Sequence, residues 1–286
     1  MQLDAITIYP VKSLRGVSVQ EAAVEPWGLA GDRRWMVVDA DSRYLTQREL
    51  PGMARIAAAP AGDGGVVLSA SGMDALRVPV PEAGGPMVEV LVWRDRVAAQ
   101  PAGRNADAWL SDALGRACRL VHMGDPAAAR PVDPAYGRPA DRVSFADGFP
   151  LLGVNAASLD ALNARLAQPV PMARFRPNLA VSGAAPWAED GWRLLRVGAA
   201  GGVAFRAVKL CARCVIITTD QETGARPRDR EPLRTLSSFR RDHRGRVLFG
   251  QNLVPDGTGR IAVGDPVEVA EAPAGPGHRS VGLDHA

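Results

Sequence analysis

Two cysteines three residues apart, Cys211 and Cys214, flank an arginine in the run Lys209-Leu210-Cys211-Ala212-Arg213-Cys214, in a chain that has only three cysteines. A thiolate beside a guanidinium is stabilised as the anion, the form that attacks electrophiles and binds soft metals. Cys214 or Cys211 is therefore the candidate reactive atom, with a buried structural thiol as the competing reading. A zinc site needs further soft ligands, and only Cys118 and the scattered His122, His243, His278 and His285 remain. A thioredoxin-like dithiol opens a helix in a βαβ unit, whereas the β-branched run Val215–Thr219 predicts a strand directly after the pair. A single thiolate ligand to a larger cofactor survives these objections.

Three polar clusters supply cations at expected strand ends: Tyr9-Pro10-Val11-Lys12-Ser13, Gly31-Asp32-Arg33-Arg34-Trp35 and Arg174-Phe175-Arg176-Pro177-Asn178. Lysine with serine suits a phosphate, and arginine adds a planar fork for phosphate or carboxylate. Singly, each cluster is explained by a surface charge or a strand-end ion pair. Together with a reactive thiol they point to an anionic, phosphate-bearing cofactor held beside sulfur.

The elements that must position these residues are mostly strands. Leu3–Tyr9, a hairpin from Trp35–Asp39 to Tyr44-Leu45, Gly64–Ser69 and Met87–Trp93 read as β, punctuated by Asp-Gly and Gly-Gly turns. A helix is predicted over Ala106–Leu114, capped by Asn105 and stopped by Gly115, and a second from Asn155 to about Leu166. Residues 125–141 read as a linker. Strands return at Leu179–Ser182, Trp192–Val197, Val203–Val208 and Val215–Thr219. The run Arg226–Arg246 holds eight arginines against three acids, a pattern that usually marks a solvated face. Beyond Ala270 the Ala/Pro/Gly-rich stretch reads as a disordered tail.

Bulk properties narrow the class. The 286 residues, 47% hydrophobic and 23% charged, suit a globular protein with a substantial core. A formal net charge of +3 does not favour general nucleic-acid binding but allows a local anion site. No run approaches membrane-spanning length and no signal-peptide pattern opens the chain, so no membrane association is expected. Few cysteines fit a reducing, cytoplasmic setting.

Tyr-Pro-Val-Lys-Ser, Gly-Asp-Arg-Arg-Trp, Ala146-Asp147-Gly148-Phe149-Pro150, Phe-Arg-Pro-Asn and Cys-Ala-Arg-Cys occur in an order that resembles the MOSC-domain proteins, in particular the mitochondrial amidoxime-reducing component and its bacterial relatives. Glu231–Leu236, Phe249–Asn252 and Ile261–Val267 extend the resemblance to roughly residues 1 to 270. It implies a mainly β chain with some α, an N-terminal β-barrel-like domain (1–120) packed on a MOSC β-barrel (121–271), with 272–286 as the tail. It also implies a molybdenum cofactor, molybdenum on molybdopterin, in the cleft between the two. Carried over by position, Cys214 is the metal ligand and Cys211 its non-ligating companion. Lys12, Ser13 and Arg33 match positions that hold the pterin and its phosphate. Asp147, Arg176, Asn178, Ala212, Arg213 and Asn252 match further cofactor contacts, Asn252 standing where the amidoxime reductases have a tyrosine. Asp220, the acid after the cysteine segment, is expected to shape the substrate side as a catalytic residue.

The implied reaction is a two-electron oxygen-atom transfer that reduces small N-hydroxylated substrates (N-hydroxylated bases, amidoximes, hydroxylamines), a detoxification chemistry. No cysteine follows Cys214, so a C-terminal ferredoxin-like module is not expected. Electrons are then expected from a separate donor of ferredoxin, flavodoxin or cytochrome type with its reductase. The basic run Arg226–Arg246 is the candidate docking segment. The rival reading, from other MOSC domains, is a sulfur carrier for metal-sulfur cluster assembly that uses a Cys214 persulfide.

Overall fold

The strand that leads to the cysteines, Val203–Ala212, lies inside an eight-stranded sheet. In the computed structural model, which describes residues 1–270 apart from 129 and 200, the order across this sheet is Val17–Val19, Gln2–Ile8, Leu179–Ser182, Leu151–Asn155, Leu248–Pro255, Val203–Ala212, Leu194–Val197 and Val267–Ala270. Leu151–Asn155 and Leu179–Ser182 pair in parallel, and the helix Ala156–Asn163 lies on the crossover between them. Gln2 bridges Pro266, and the Leu3 N–H donates to the Asp265 carbonyl at 2.8 Å. The last strand thus returns to the first, and the sheet curls around Leu3, Ile6, Leu151, Leu179, Phe205 and Leu253. Along Val203–Ala212, Phe205 and Ala207 point into that core while Arg206 and Val208 face the other way, the two-residue period of a pleated strand.

The N-terminal part is built around Trp35–Val38, which is buried at every position. Trp35 and Val37 join a core with Val11, Leu14 and Leu110, while Met36 and Val38 join another with Val90, Val121 and Phe145. A strand covered on both faces is an unbroken apolar run, which is why Trp-Met-Val-Val shows no alternation. Trp35–Val38 pairs with Arg119–His122, next to Asp95–Pro101 and its hairpin partner Val88–Val92. The architecture is mainly β, with a barrel-like N-terminal part against the larger sheet. The two halves interleave: Gln2–Ile8, from the first 120 residues, pairs with Leu179–Ser182.

Several local expectations change. Val215–Thr219 is not a strand. Val215–Thr218 forms a 3₁₀ turn, closed by Thr218 Oγ1 donating to the Val215 carbonyl at 2.8 Å, and it buries Ile217 against Phe175 and Phe249. Burial of a β-branched side chain has overridden β propensity there. The cysteines therefore close a strand rather than open one. The first helix runs Arg104–Leu114 with Gly103, not Asn105, at its N-cap, while Asn155 does cap the second by accepting from the Ala157 N–H at 3.2 Å. That second helix stops at Asn163, whose side chain bonds both backbone groups of Val170. The 125–141 stretch is no plain linker, since Arg130–Pro131 pairs with Arg142–Val143. The expected disordered tail, 272–286, lies outside the described residues.

The basic run is only in part a solvated face. Arg240 is buried, doubly bonded to Asp190 at 2.6 and 2.7 Å and stacked on Trp187. Arg228, Arg230, Arg241 and Arg244 remain exposed.

Candidate active site

The end of Val203–Ala212, the loop Ala146–Phe149, the turn at Lys12-Ser13 and the residues around Arg33 and Arg176 enclose one cleft of about 890 Å³, counting its open mouth. Five cations line it, Lys12, Arg33, Arg48, Arg176 and Arg213, against the single carboxylate of Asp147. Cys211 and Cys214 complete the lining, both partly exposed.

At the back of the cleft Tyr9 is clamped between two guanidiniums. Arg33 lies 4.5 Å and Arg176 4.3 Å from its ring centroid, and its hydroxyl donates to the Pro177 carbonyl at 3.1 Å. Gly16 is needed here, because a Cβ at that position would lie 2.5 Å from Tyr9 Cε1. Asp32, itself buried, holds Arg33 at 2.5 Å and accepts from the Tyr9 N–H at 2.8 Å. Asn178 accepts from Arg33 through Oδ1 (2.9 Å) and donates through Nδ2 to Asp32 (3.1 Å), so it locks the pair. Burial pushes the Tyr9 hydroxyl up to about 12 despite the two arginines. Burial, together with Arg33, pulls Arg176 down to about 10, opposed by Tyr9 and Asp32. Arg33 takes the one buried carboxylate and Arg176 bonds the neutral Gln221 Oε1 at 3.2 Å, which leaves a local excess of positive charge, the condition that attracts an anion.

Ser13, Arg33 and Arg176 share a further trait: each is a non-glycine residue in the left-handed region, at φ 66, 49 and 56. Such backbone is unfavourable by about 1–2 kcal/mol per residue and persists where surroundings enforce it, often at functional sites. Here Arg33 is enforced by its N–H donating to the Tyr9 carbonyl at 2.7 Å and Arg176 by its N–H donating to Ala173.

Lys12 is buried and ion-paired with Asp147, a contact joined by Arg48 at 3.4 Å and the Trp93 indole N–H at 3.4 Å. Burial lowers the Lys12 ammonium despite Asp147. Desolvation alone would raise the Asp147 carboxyl, but Lys12 and Arg48 hold it well below the usual carboxylate range. The loop carrying Asp147 is pinned by Arg130, which donates to the carbonyls of Ser144, Ala146 and Asp147.

The cysteines divide the arginines in a way that adjacency does not suggest. Arg213 donates to the Cys211 sulfur at 3.1 Å and to the Phe175 carbonyl at 2.6 Å. Cys214, at the N-cap of the turn Val215–Thr218, instead has Arg48 beside it, with Arg226 also near. Among the described residues no group of three or more His, Cys, Asp or Glu side chains is arranged to hold a metal, so a metal here would take its protein sulfur from the cleft cysteines alone.

Lys12, Ser13, Arg33, Asp147, Arg176, Asn178, Ala212, Arg213, Cys214 and Asn252 all line this cleft, although they come from six separate stretches of chain. Asn252 lies across the pleat from Lys209 and donates to its carbonyl at 3.2 Å. Asp220 does not line it. Its carboxylate accepts from the N–H groups of Glu222 and Thr223 and from the Thr223 hydroxyl, and it pairs with Arg174 at 3.1 Å. Those bonds occupy it in a turn, so the geometry withdraws the catalytic expectation for Asp220. Arg48, Arg130, Asp32 and Tyr9 were not singled out as site residues by sequence reasoning. Asp32 and Tyr9 sit inside the polar clusters and were within reach, whereas nothing about Arg48 or Arg130 marks them without the fold.

Residues 1–117 match the MOSC N-terminal beta barrel domain and residues 140–268 the MOSC domain. The chain belongs to the MOSC-domain family. Mitochondrial amidoxime-reducing component 1 of Mus musculus is 34% identical over 276 residues, covering 91% of this chain and 79% of that protein. Its namesake from Homo sapiens is 34% identical over 276 residues, covering 91% and 80%. The molybdenum cofactor sulfurase of Oryza sativa subsp. japonica is 32% identical over 270 residues, covering 87% of this chain but 32% of the sulfurase.

Proposed function

We propose that this cleft is the active site of a molybdenum-cofactor-dependent reductase of small N-hydroxylated compounds. The observation that carries the reading is the convergence of a thiol, Cys214, with five cations facing one carboxylate in a single cleft. The donor set fits the cofactor: a thiolate is a soft ligand for the metal, and paired guanidiniums with a lysine suit a phosphate. Arg213, which lines the cleft, also keeps a buried Nε with no partner within the protein. The similarity to amidoxime-reducing components supports the reaction class.

Cys214 would be the protein's sulfur ligand, with Lys12, Ser13, Arg33, Arg176 and Arg213 holding the anionic part. When bound, the cofactor supplies two-electron oxygen-atom transfer. Overall, the substrate N–O bond is broken, two electrons and two protons are consumed, and an amine or amidine and water result. The electrons come from a separate donor protein. Asn178 and Asp32 act at one remove by fixing the Arg33 fork. Asp147 fixes Lys12, and Arg213 ties Cys211 down, leaving Cys214 as the thiol facing Arg48.

Molybdenum and pterin content per chain, measured after expression in a cofactor-replete host, tests this. About one of each is expected in the wild type. Cys214→Ser should lose the metal, whereas Cys211→Ser should largely keep it. Well-folded protein with neither metal nor pterin would replace this reading with a sulfur carrier, to be tested by a persulfide assay on Cys214.

A further inference from the structure

Among the described residues Trp93 is one of few large apolar side chains left in solvent, 46% exposed; it lines a depression next to the cleft and borders the cleft itself through Asp147 and Arg48. Its backbone is left-handed, φ 57, an arrangement that is unusual for a bulky residue and favours glycine. The turn joining Val88–Val92 to Asp95–Pro101 therefore keeps a strained tryptophan where a glycine would relax it. The ring is also tethered to the site. Its indole N–H reaches Asp147, the Arg48 guanidinium lies 4.7 Å over it, and Tyr44 flanks it at 5.6 Å. Arg48 and Cys214 line the same cleft, so the indole is joined to the cleft wall through Arg48.

We infer that Trp93, held by Arg48 and Asp147, is a stacking platform for the substrate, so that the enzyme prefers N-hydroxylated compounds carrying a planar conjugated ring over aliphatic ones. This rests on the reductase reading above. An exposed indole with a guanidinium on it offers a flat, polarised surface to a π-system, and stacking of this kind is tolerant of ring identity. An aliphatic oxime can reach the same thiol but gains nothing from the indole. Arg48 is here a positioning residue for the indole as well as a neighbour of Cys214. The strain at Trp93 is consistent with a side chain retained for contact rather than for packing.

The test compares benzamidoxime with acetamidoxime on molybdenum-replete wild type, Trp93→Ala and Trp93→Phe, with reduced methyl viologen as electron source. The ratio of kcat/KM for benzamidoxime to that for acetamidoxime should fall about tenfold in Trp93→Ala and largely recover in Trp93→Phe. In parallel, benzamidine, the reduced product, is titrated against the same proteins while tryptophan fluorescence is followed. Quenching should be present in the wild type and lost in Trp93→Ala. An unchanged ratio with unchanged quenching overturns the platform and leaves the reductase reading standing. Reduction of neither oxime by molybdenum-replete protein, with quenching still lost in Trp93→Ala, overturns the reductase reading and leaves the platform.

Discussion

Replacing Arg176 with methionine should make the cofactor-free protein more stable and its anion site worse. Arg176 is held at about 10 against an ordinary 12.5, by burial first and by Arg33 second. At about 1.4 kcal/mol per unit, keeping it charged in the folded state costs about 3 kcal/mol. Arg176 keeps some solvent contact, which screens part of this. Loss of its contact with Tyr9 and of its bond to Gln221 Oε1 (3.2 Å) together removes about 2 kcal/mol, so roughly 1 kcal/mol of net stabilisation remains. Both the folded and unfolded values lie above neutral pH, so the penalty is fully present there and falls only as pH rises through them. The expected rise in Tm is a few degrees for a chain of this size. The wild type, in turn, should be stabilised by pyrophosphate, by about 2.7 kcal/mol at a hundredfold excess over Kd. Removing one charge-assisted contact weakens binding by about 2 kcal/mol, which cuts that gain to about 0.9 kcal/mol. Thermal denaturation of wild type and Arg176→Met, with and without pyrophosphate, reads both quantities. A variant that is less stable without ligand, or that keeps the full pyrophosphate shift, would refute the idea that Arg176 is maintained for an anion.

Three further outcomes follow from the same coordinates. Glu189 is fully buried, its Oε1 and the nearby Gln251 Oε1 lack donors, and burial raises its carboxyl. Its folded value thus exceeds the unfolded one: the stabilisation is complete below the ordinary glutamate value and is lost as pH rises through the folded value. Urea midpoints should therefore decline as pH rises above the ordinary glutamate range in the wild type and flatten in Glu189→Gln. Arg240→Ala should cost about 3–5 kcal/mol, because it strands Asp190 in a buried pair. Reversing the exposed Arg228, Arg230 and Arg244 to glutamate should leave stability within about 0.5 kcal/mol and raise KM for an acidic electron donor; unchanged donor kinetics would exclude this face from docking.

The β-rich plan, the Asn155 cap and the four chemical clusters were legible in the sequence because each depends on local rules: apolar patterning, capping chemistry and residue type. The family resemblance rested on the same short motifs, and the cleft does gather them. What misled was also local. Val215–Thr219 carries strong β propensity, yet Ile217 gains more by packing on Phe175 and Phe249 than a strand would provide. Asp220 follows the cysteine segment in sequence, but its lone pairs are used in its own turn.

By itself, then, the sequence determined which groups this protein has for chemistry: a thiol, a lysine and a set of arginines at strand ends. Only the tertiary structure decided which of them face one another. Adjacency suggested Arg213 as the partner of Cys214, but alternation along a strand end sends that guanidinium to Cys211, and Arg48 arrives from more than 160 residues away. Charge pairing is set by distance through space, and a chain that closes its last strand onto its first makes sequence separation a poor guide to it.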